Sequence, residues 1–320
     1  MRRAVIAVGG NALVMDNRHS TIAHQRESAR ALARTLLGVL AQGWEVVVTH
    51  GNGPQVGFIL QRSELATAAD AHSGIPAIGL DLAVADSQGG IGHLLASSLL
   101  GALSTAGQRE QVAALLTHTV VDPADPAFAR PTKPIGTWYS AEHAAYLVRE
   151  AGWKMSEEPG RGWRRLVASP YPVRILETSA IATLVDSGFV VIAGGGGGIP
   201  VVEDPQCGYR GVEAVIDKDH ASAMLAGALG ANLLLLTTGV ERVALDFGQP
   251  SQRSVDCLTL TEAEQHMREG QFPEGTMGPK ISACISFLRG GGREALITCP
   301  DRIEDALRGR AGTRIVQAVA

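Results

Sequence analysis

Three short apolar runs in this chain each end in glycines, and that recurrence constrains the fold more than any other feature. Ala4–Val8 runs into Gly9-Gly10-Asn11, Glu45–Thr49 into His50-Gly51-Asn52-Gly53, and Val190–Ala193 into Gly194–Gly198. Between the first two runs, Thr21–Ala41 places Ile22, Leu32, Leu36 and Leu40 at helical spacing. A strand, a helix and a second strand in that order predict a βαβ unit. Its strands run parallel, and its ligands belong at their carboxyl ends.

The alternation continues along the chain. The pattern predicts helices over Ala83–Thr105, Ile175–Asp186 and Ala221–Leu229, one starting near Thr261 and another following Lys280. It predicts further strands over Val112–Thr117, Leu233–Thr237, Ala295–Thr298 and Arg314–Val319. Residues 122–172 break the rhythm. They are rich in proline, hold Trp138, Trp153 and Trp163, and contain the string GRGWRRLVASPYP. They read as an inserted, protruding subdomain or lid within a single domain spanning 1–320.

Several classes of function are excluded. No apolar run reaches the ~20 residues that span a bilayer, and the five apolar residues after Arg3 are too few for a signal peptide's core of about 7–15, so they read as a first strand. A net charge of −4 with scattered arginines offers nucleic acid no basic stripe. Cys207, Cys257, Cys284 and Cys299 form no C-x-x-C pair and predict reduced core thiols in a cytoplasmic protein. No metal site is visible from spacing.

Glycines after a strand let backbone N–H groups turn onto an anion, and the helix N-terminus behind them adds favourable partial charge. Three such loops in one chain point to a phosphate-rich ligand. The second imitates a dinucleotide fingerprint, but the residue three beyond Gly53 is Val56, and no P-loop string is present. Lysine narrows the search. Only four of the 28 basic residues are lysine: Lys133 in PTKPIG, Lys154 in AGWKMSEE, Lys218 in EAVIDKD and Lys280 in GTMGPK. A compact ammonium fits a point-like phosphate oxygen where a planar guanidinium does not. In GVEAVIDKD, Asp217 and Asp219 flank Lys218; they could hold it against a transferring phosphoryl group, or simply cap a helix with a surface ion pair.

The strings VGGNA (8–12), THGNGPQVG (49–57), SQGGIGHLL (87–95), PTKPIG (131–136), GGGGGIPV (194–201), GVEAVIDKD (211–219) and GTMGPKISA (275–283) together resemble those of carbamate kinases, of the amino acid kinase superfamily. The resemblance runs the length of the chain. It implies an α/β fold, a three-layer αβα sandwich around a mainly parallel open sheet, and a cytoplasmic homodimer. It implies transfer between ATP and carbamate, giving ADP and carbamoyl phosphate, used towards ATP synthesis, with Mg²⁺ carried on the nucleotide. By motif, Gly9, Gly10, Asn11, Gly51, Asn52 and Gly53 would hold the transferring phosphoryl group and carbamate. Lys133 would reach the same group from the lid, Lys218 and Lys280 would bridge the nucleotide phosphates, and Asp217 would organise the lysines. Gly195, Gly196, Gly197, Gly198, Gly239, Val240 and Met277 would line the nucleotide side. Many kinases of the superfamily carry a lysine just before the first glycine pair; here Ala7-Val8 stands there, and Lys133 would supply the charge.

Gly90 and His93 in SQGGIGH depart from the family pattern at the expected start of a helix near the small-substrate pocket or dimer contact. They leave open a paralogue acting on another small carboxylate or carbamate-type acceptor. A non-catalytic nucleotide-binding subunit is a third reading, opposed by the intact Lys133, Asp217, Lys218 and Lys280.

Overall fold

The computed structural model describes residues 2–9, 21–69, 74–158, 160–273 and 275–317. The first strand, Arg2–Val8, shows how the layers arise. Successive side chains point to opposite faces, and both faces are buried: Val5 and Ala7 join one apolar core, Ala4, Ile6 and Val8 another. A strand buried on both sides belongs at the centre of a covered, parallel sheet. The sheet has eight strands, in the order Cys257–Thr259, Thr313–Val316, Glu294–Thr298, Leu233–Thr237, Arg2–Val8, Trp44–His50, Val190–Ile192 and Val112–Ala114. Its neighbours are parallel except for Glu294–Thr298 with Thr313–Val316.

Helices Thr178–Asp186, Lys218–Ala228 and Met277–Arg289 bury Ile181, Leu225 and Phe287 in one core; helices Ile22–Ala41 and Leu80–Thr105 bury Leu36 and Leu95 in the other. The expected three-layer sandwich is present. Its parallel centre brings the carboxyl ends of five strands, Glu294–Thr298 through Val190–Ile192, to one edge. Helix Ile22–Ala41 starts where predicted because the Thr21 side chain accepts the His24 N–H.

Three expected elements differ in the structure, each for a local reason. The strand expected over Val112–Thr117 splits. Val112–Ala114 stay in the large sheet, and His118–Val121 pair in a second sheet ordered Gly208–Gly211, Ile199–Asp204, His118–Val121, Pro172–Ile175. At the crossing, the Gln88 carboxamide accepts the Thr117 N–H at 2.8 Å and donates to Thr117 O at 3.1 Å, an oxygen that also accepts the Ile199 N–H of the second sheet at 2.8 Å. The helix expected from Ile175 begins only at Thr178, because Pro172–Ile175 are drawn into that second sheet against His118–Val121. The string after Asn52, read as a loop, is a helix over Gly53–Ala69. Its Val56 N–H bonds to Asn52 O at 2.9 Å, and Pro54 falls in the first turn, where a missing N–H is harmless.

Residues 122–171 leave after Val121 and return at Pro172, on adjacent antiparallel strands. They form a three-stranded antiparallel sheet of Lys133–Tyr139, Gly162–Val167 and Lys154–Glu158, with helix Ala141–Ala151 capped by Ser140. Ile135 and Val167 share a third core with Val56 and Leu60 of helix Gly53–Ala69. Backbone meets backbone here: a Cβ on Gly57 would lie 2.2 Å from Gly136 Cα. The four cysteines are free, but only Cys284 is buried, and Cys207 and Cys257 are exposed. The expectation of core thiols therefore holds for one of them, because Cys207 and Cys257 lie on short surface elements. Among the described residues no helix is long and apolar enough to cross a membrane.

Candidate active site

The ends of the five central strands open into a cleft of about 780 Å³. Gly9, Gly51, Asn52, Gly53, Gly196, Thr237, Gly239 and Pro300 line it from the sheet edge. Lys133 enters from the inserted segment, Asp217, Lys218 and Asp219 from the start of helix Lys218–Ala228, and Lys280 from the first turn of helix Met277–Arg289. The two helix starts bring positive dipole ends to the same space.

Two aspartates share three lysines. Asp217 caps its helix by accepting the Asp219 N–H through Oδ1 (2.9 Å), and through Oδ2 it accepts Lys133 Nζ at 3.1 Å. Lys133 Nζ also donates to Ile216 O at 3.3 Å. Asp219, only 5% exposed, accepts Lys218 Nζ at 2.5 Å on Oδ1 and Lys280 Nζ at 2.9 Å on Oδ2. The cluster keeps one positive charge in excess, which suits a polyanion.

Burial opposes ionisation of both carboxylates, yet Lys133 and Lys218 hold Asp217 well below the usual carboxylate range, and Lys218 and Lys280 do the same for Asp219. Burial pulls the Lys218 ammonium down. At Lys280 burial acts in the same direction, but Asp219 outweighs it and the group is pushed up. A buried hydroxyl pair fixes the geometry: Thr49 Oγ1 and Ser222 Oγ lie 2.6 Å apart, and Ser222 Oγ donates to Lys218 O. The strand ending at His50 is thereby tied to the helix carrying Lys218.

The glycine turn at 194–198 is close-packed against the loop from the second strand. Gly196 has φ 65°, and a Cβ there would approach Asn52 Nδ2 to 2.2 Å, so only glycine fits. His50 lies beneath it, 2% exposed, with Nδ1 3.1 Å from Gly51 O. Burial depresses its pKa to about 4, which keeps the ring neutral and structural. The unfolded chain binds this proton from about pH 6.5 downwards and the folded one only near 4. Stability should therefore fall as pH drops from 6.5 to 4, by on the order of 3 kcal/mol. Denaturant titrations of wild type and His50→Gln across that range check this: the variant should lack most of the slope.

The other motif residues divide. Gly10 and Asn11 lie outside the described residues. Gly195, Gly197 and Gly198 are buried behind Gly196, Val240 is 44% exposed beside Gly239, and Met277 packs against the apolar core; the cleft wall does not include them. Lys154 stands exposed on its strand. Gly90 and His93 lie on the exposed face in the middle of helix Leu80–Thr105, not at its start, and away from the cleft. The opposite, buried face of that helix reaches the site through Ser87, which accepts from Asn52, and Gln88, which donates to Gly195 O. Sequence reasoning read Asp219 with Asp217 as a flank of Lys218 but carried only Asp217 over as the organiser; in the structure Asp219 holds both Lys218 and Lys280. Sequence reasoning also missed Ser28, Leu32 and Thr35 of the first helix and Asp301 on the cleft wall, whose sequence surroundings carry no glycine or lysine signal.

Comparison with known proteins agrees with this geometry. The model of the amino acid kinase family matches residues 2–299. The chain is 46% identical over 314 residues to the carbamate kinase-like protein YahI of Escherichia coli, covering 98% of each chain, and 42% identical over 318 residues to the carbamate kinase of Thermococcus kodakarensis, covering 99% of this chain and all of that one. The structure of carbamate kinase from Giardia lamblia bound to AMP-PNP superposes with a TM-score of 0.89 at 35% identity, covering 98% of both chains. The chain thus belongs to the amino acid kinase family and, within it, to the group formed by carbamate kinases and carbamate kinase-like proteins.

Proposed function

We propose that the protein is a carbamate kinase, catalysing reversible phosphoryl transfer between ATP and carbamate and working towards ATP in a cytoplasmic homodimer. The observation that carries this reading is the meeting of Lys133, Lys218 and Lys280 on two aspartates in the cleft that Gly51, Asn52 and Gly53 also line. Carbamate is already an anionic nucleophile, so transfer needs positioning and charge neutralisation rather than a base. The neutral, buried His50 accords with that.

In this reading the first-turn N–H groups after Asn52 hold the acceptor, and Gly9 with Gly51 and Gly53 allow the phosphoryl group close to the backbone. Lys133 takes the place of the lysine absent before Gly9 and meets the transferring group from the inserted segment, which acts as a lid. Lys218 and Lys280 neutralise the nucleotide phosphates, while Asp217 and Asp219 keep the three ammonium groups spaced. The adenosine lies towards Gly239 and Thr276.

Mg²⁺ would arrive on the nucleotide and add charge neutralisation there. The donor set fits that arrangement: Asp217 and Asp219 in the cleft are both engaged by lysines, and among the described residues no three His, Cys, Asp or Glu side chains gather to hold an ion.

Purified protein mixed with MgADP and carbamoyl phosphate should form ATP at a rate typical of kinases, about 1–100 per second. A second reading, a kinase for another small carboxylate or carbamate-type acceptor, draws support from the carbamate kinase-like names of two relatives at 46% and 44% identity. Nucleotide binding without ATP formation from carbamoyl phosphate would favour it, and a screen of acceptors with ATP would then identify the substrate.

A further inference from the structure

A short hydrogen-bond chain behind the cleft has a fixed direction. Ser87 Oγ lies 2.6 Å from Val84 O. A carbonyl has no proton to give, so the Ser87 hydroxyl proton fills that contact. Towards its other neighbour, the Asn52 carboxamide at 2.9 Å, Ser87 can then only accept. The end of Asn52 facing it is therefore the –NH₂ group, a choice dictated by the network. Asn52 and Ser87 are 3% and 2% exposed, so bulk water does not compete for either group. Gly196, packed against the same carboxamide, opposes its rotation.

What Asn52 has left is its acceptor, Oδ1, and the second N–H of the amide. The residue immediately precedes helix Gly53–Ala69, a position where an asparagine oxygen ordinarily caps the first N–H groups. Among the described residues, however, the side chain bonds only to Ser87. Two positions into the helix, Gln55 is 7% exposed and both its amide atoms lack a partner. Asn52, Gly53 and Pro54 form part of the cleft wall, and Gln55, the next residue, does not. Buried polar groups left unpaired are costly, and a ligand that pairs them gains accordingly.

We infer that Asn52 Oδ1 receives an N–H of the acceptor, so that the site separates a carbamate from a carboxylate of the same shape, and that Ser87 is the positioning residue that sets this polarity. The inference rests on the phosphoryl-transfer reading above. Carbamate and acetate have the same charge, the same two oxygens and nearly the same outline; they differ in an –NH₂ against a methyl. Helix N–H groups and lysines serve the oxygens of both. Only the –NH₂ satisfies Oδ1, and a methyl in its place leaves a buried acceptor unpaired.

The test compares two phosphoryl donors in the direction of ATP formation, carbamoyl phosphate and acetyl phosphate, each with MgADP. Wild type should favour carbamoyl phosphate in kcat/KM by at least about tenfold. Ser87→Ala releases the amide and should shrink that preference by roughly fivefold, mainly through KM for carbamoyl phosphate, with acetyl phosphate little changed. Ser87→Thr keeps the hydroxyl and should keep the preference. Equal use of the two donors by wild type, a comparison that needs no variant, overturns the inference while leaving phosphoryl transfer standing. So does a Ser87→Ala enzyme that loses both donors in proportion, the mark of a merely structural role. ATP from neither donor overturns the functional reading itself, and the inference with it.

Discussion

Lys218→Arg is expected to lower turnover at least ~100-fold, equivalent to about 2.7 kcal/mol of transition-state stabilisation, while the protein remains folded. The side chain of Lys218 is 12% exposed and its ammonium lies 2.5 Å from Oδ1 of Asp219, whose Oδ2 is occupied by Lys280. A guanidinium keeps the charge but is planar, wider and less able to act as a point charge on a phosphate oxygen. Forced into that space, it must either displace Lys280 from Asp219 or turn away from the cleft. The checks are the initial rate of ATP formation from MgADP and carbamoyl phosphate, with the thermal midpoint as a control for folding. Near-normal turnover in the arginine variant would remove Lys218 from the mechanism.

Asp219→Ala should have the largest effect on stability of any single change at the site. It leaves the ammonium groups of two lysines whose side chains are each 12% exposed without their shared counter-charge. Removing one partner of a buried ion pair costs about 3–5 kcal/mol, because the remaining charge is neither solvated nor paired. Part of that loss should return with MgADP or pyrophosphate, since bound phosphate oxygens take the place of the lost carboxylate. Urea unfolding with and without these ligands measures both effects. A variant as stable as wild type in the absence of ligand would mean that Lys218 and Lys280 reach water, and that Asp219 does not organise them. Asp217→Ala should be milder in stability, because its partner Lys133 is more exposed, at 25%.

The two variants depend on a division of labour that the linear string Asp217-Lys218-Asp219 does not reveal. The string suggested two aspartates flanking Lys218, and the family resemblance a single organiser, Asp217. In the structure, Asp217 takes the lysine of the inserted segment, 84 positions away, and Asp219 takes its own neighbour together with Lys280, 61 positions away. The reason is helical geometry. Once Asp217 becomes the cap, its Oδ1 is committed to the Asp219 N–H, and Asp219, in the first turn, points towards the start of helix Met277–Arg289.

What the sequence determined by itself is the layered α/β frame and the edge at which ligands bind. Short apolar runs ending in glycine can be satisfied only as buried parallel strands, and those strands place Gly9, Gly51 and Gly196 at one carboxyl edge whatever the rest of the chain does. The scarcity of lysine, four among 28 basic residues, likewise narrowed the cationic part of the site to a few positions, of which Lys133, Lys218 and Lys280 line the cleft and Lys154 does not. Tertiary structure alone decided the rest: which aspartate holds which lysine, how Gly57 and Gly136 bring the inserted segment down on helix Gly53–Ala69, and which end of the Asn52 amide faces Ser87. These are contacts between residues far apart in the chain, fixed by packing distances and by the direction of individual hydrogen bonds. Local patterns of hydrophobicity carry no record of either.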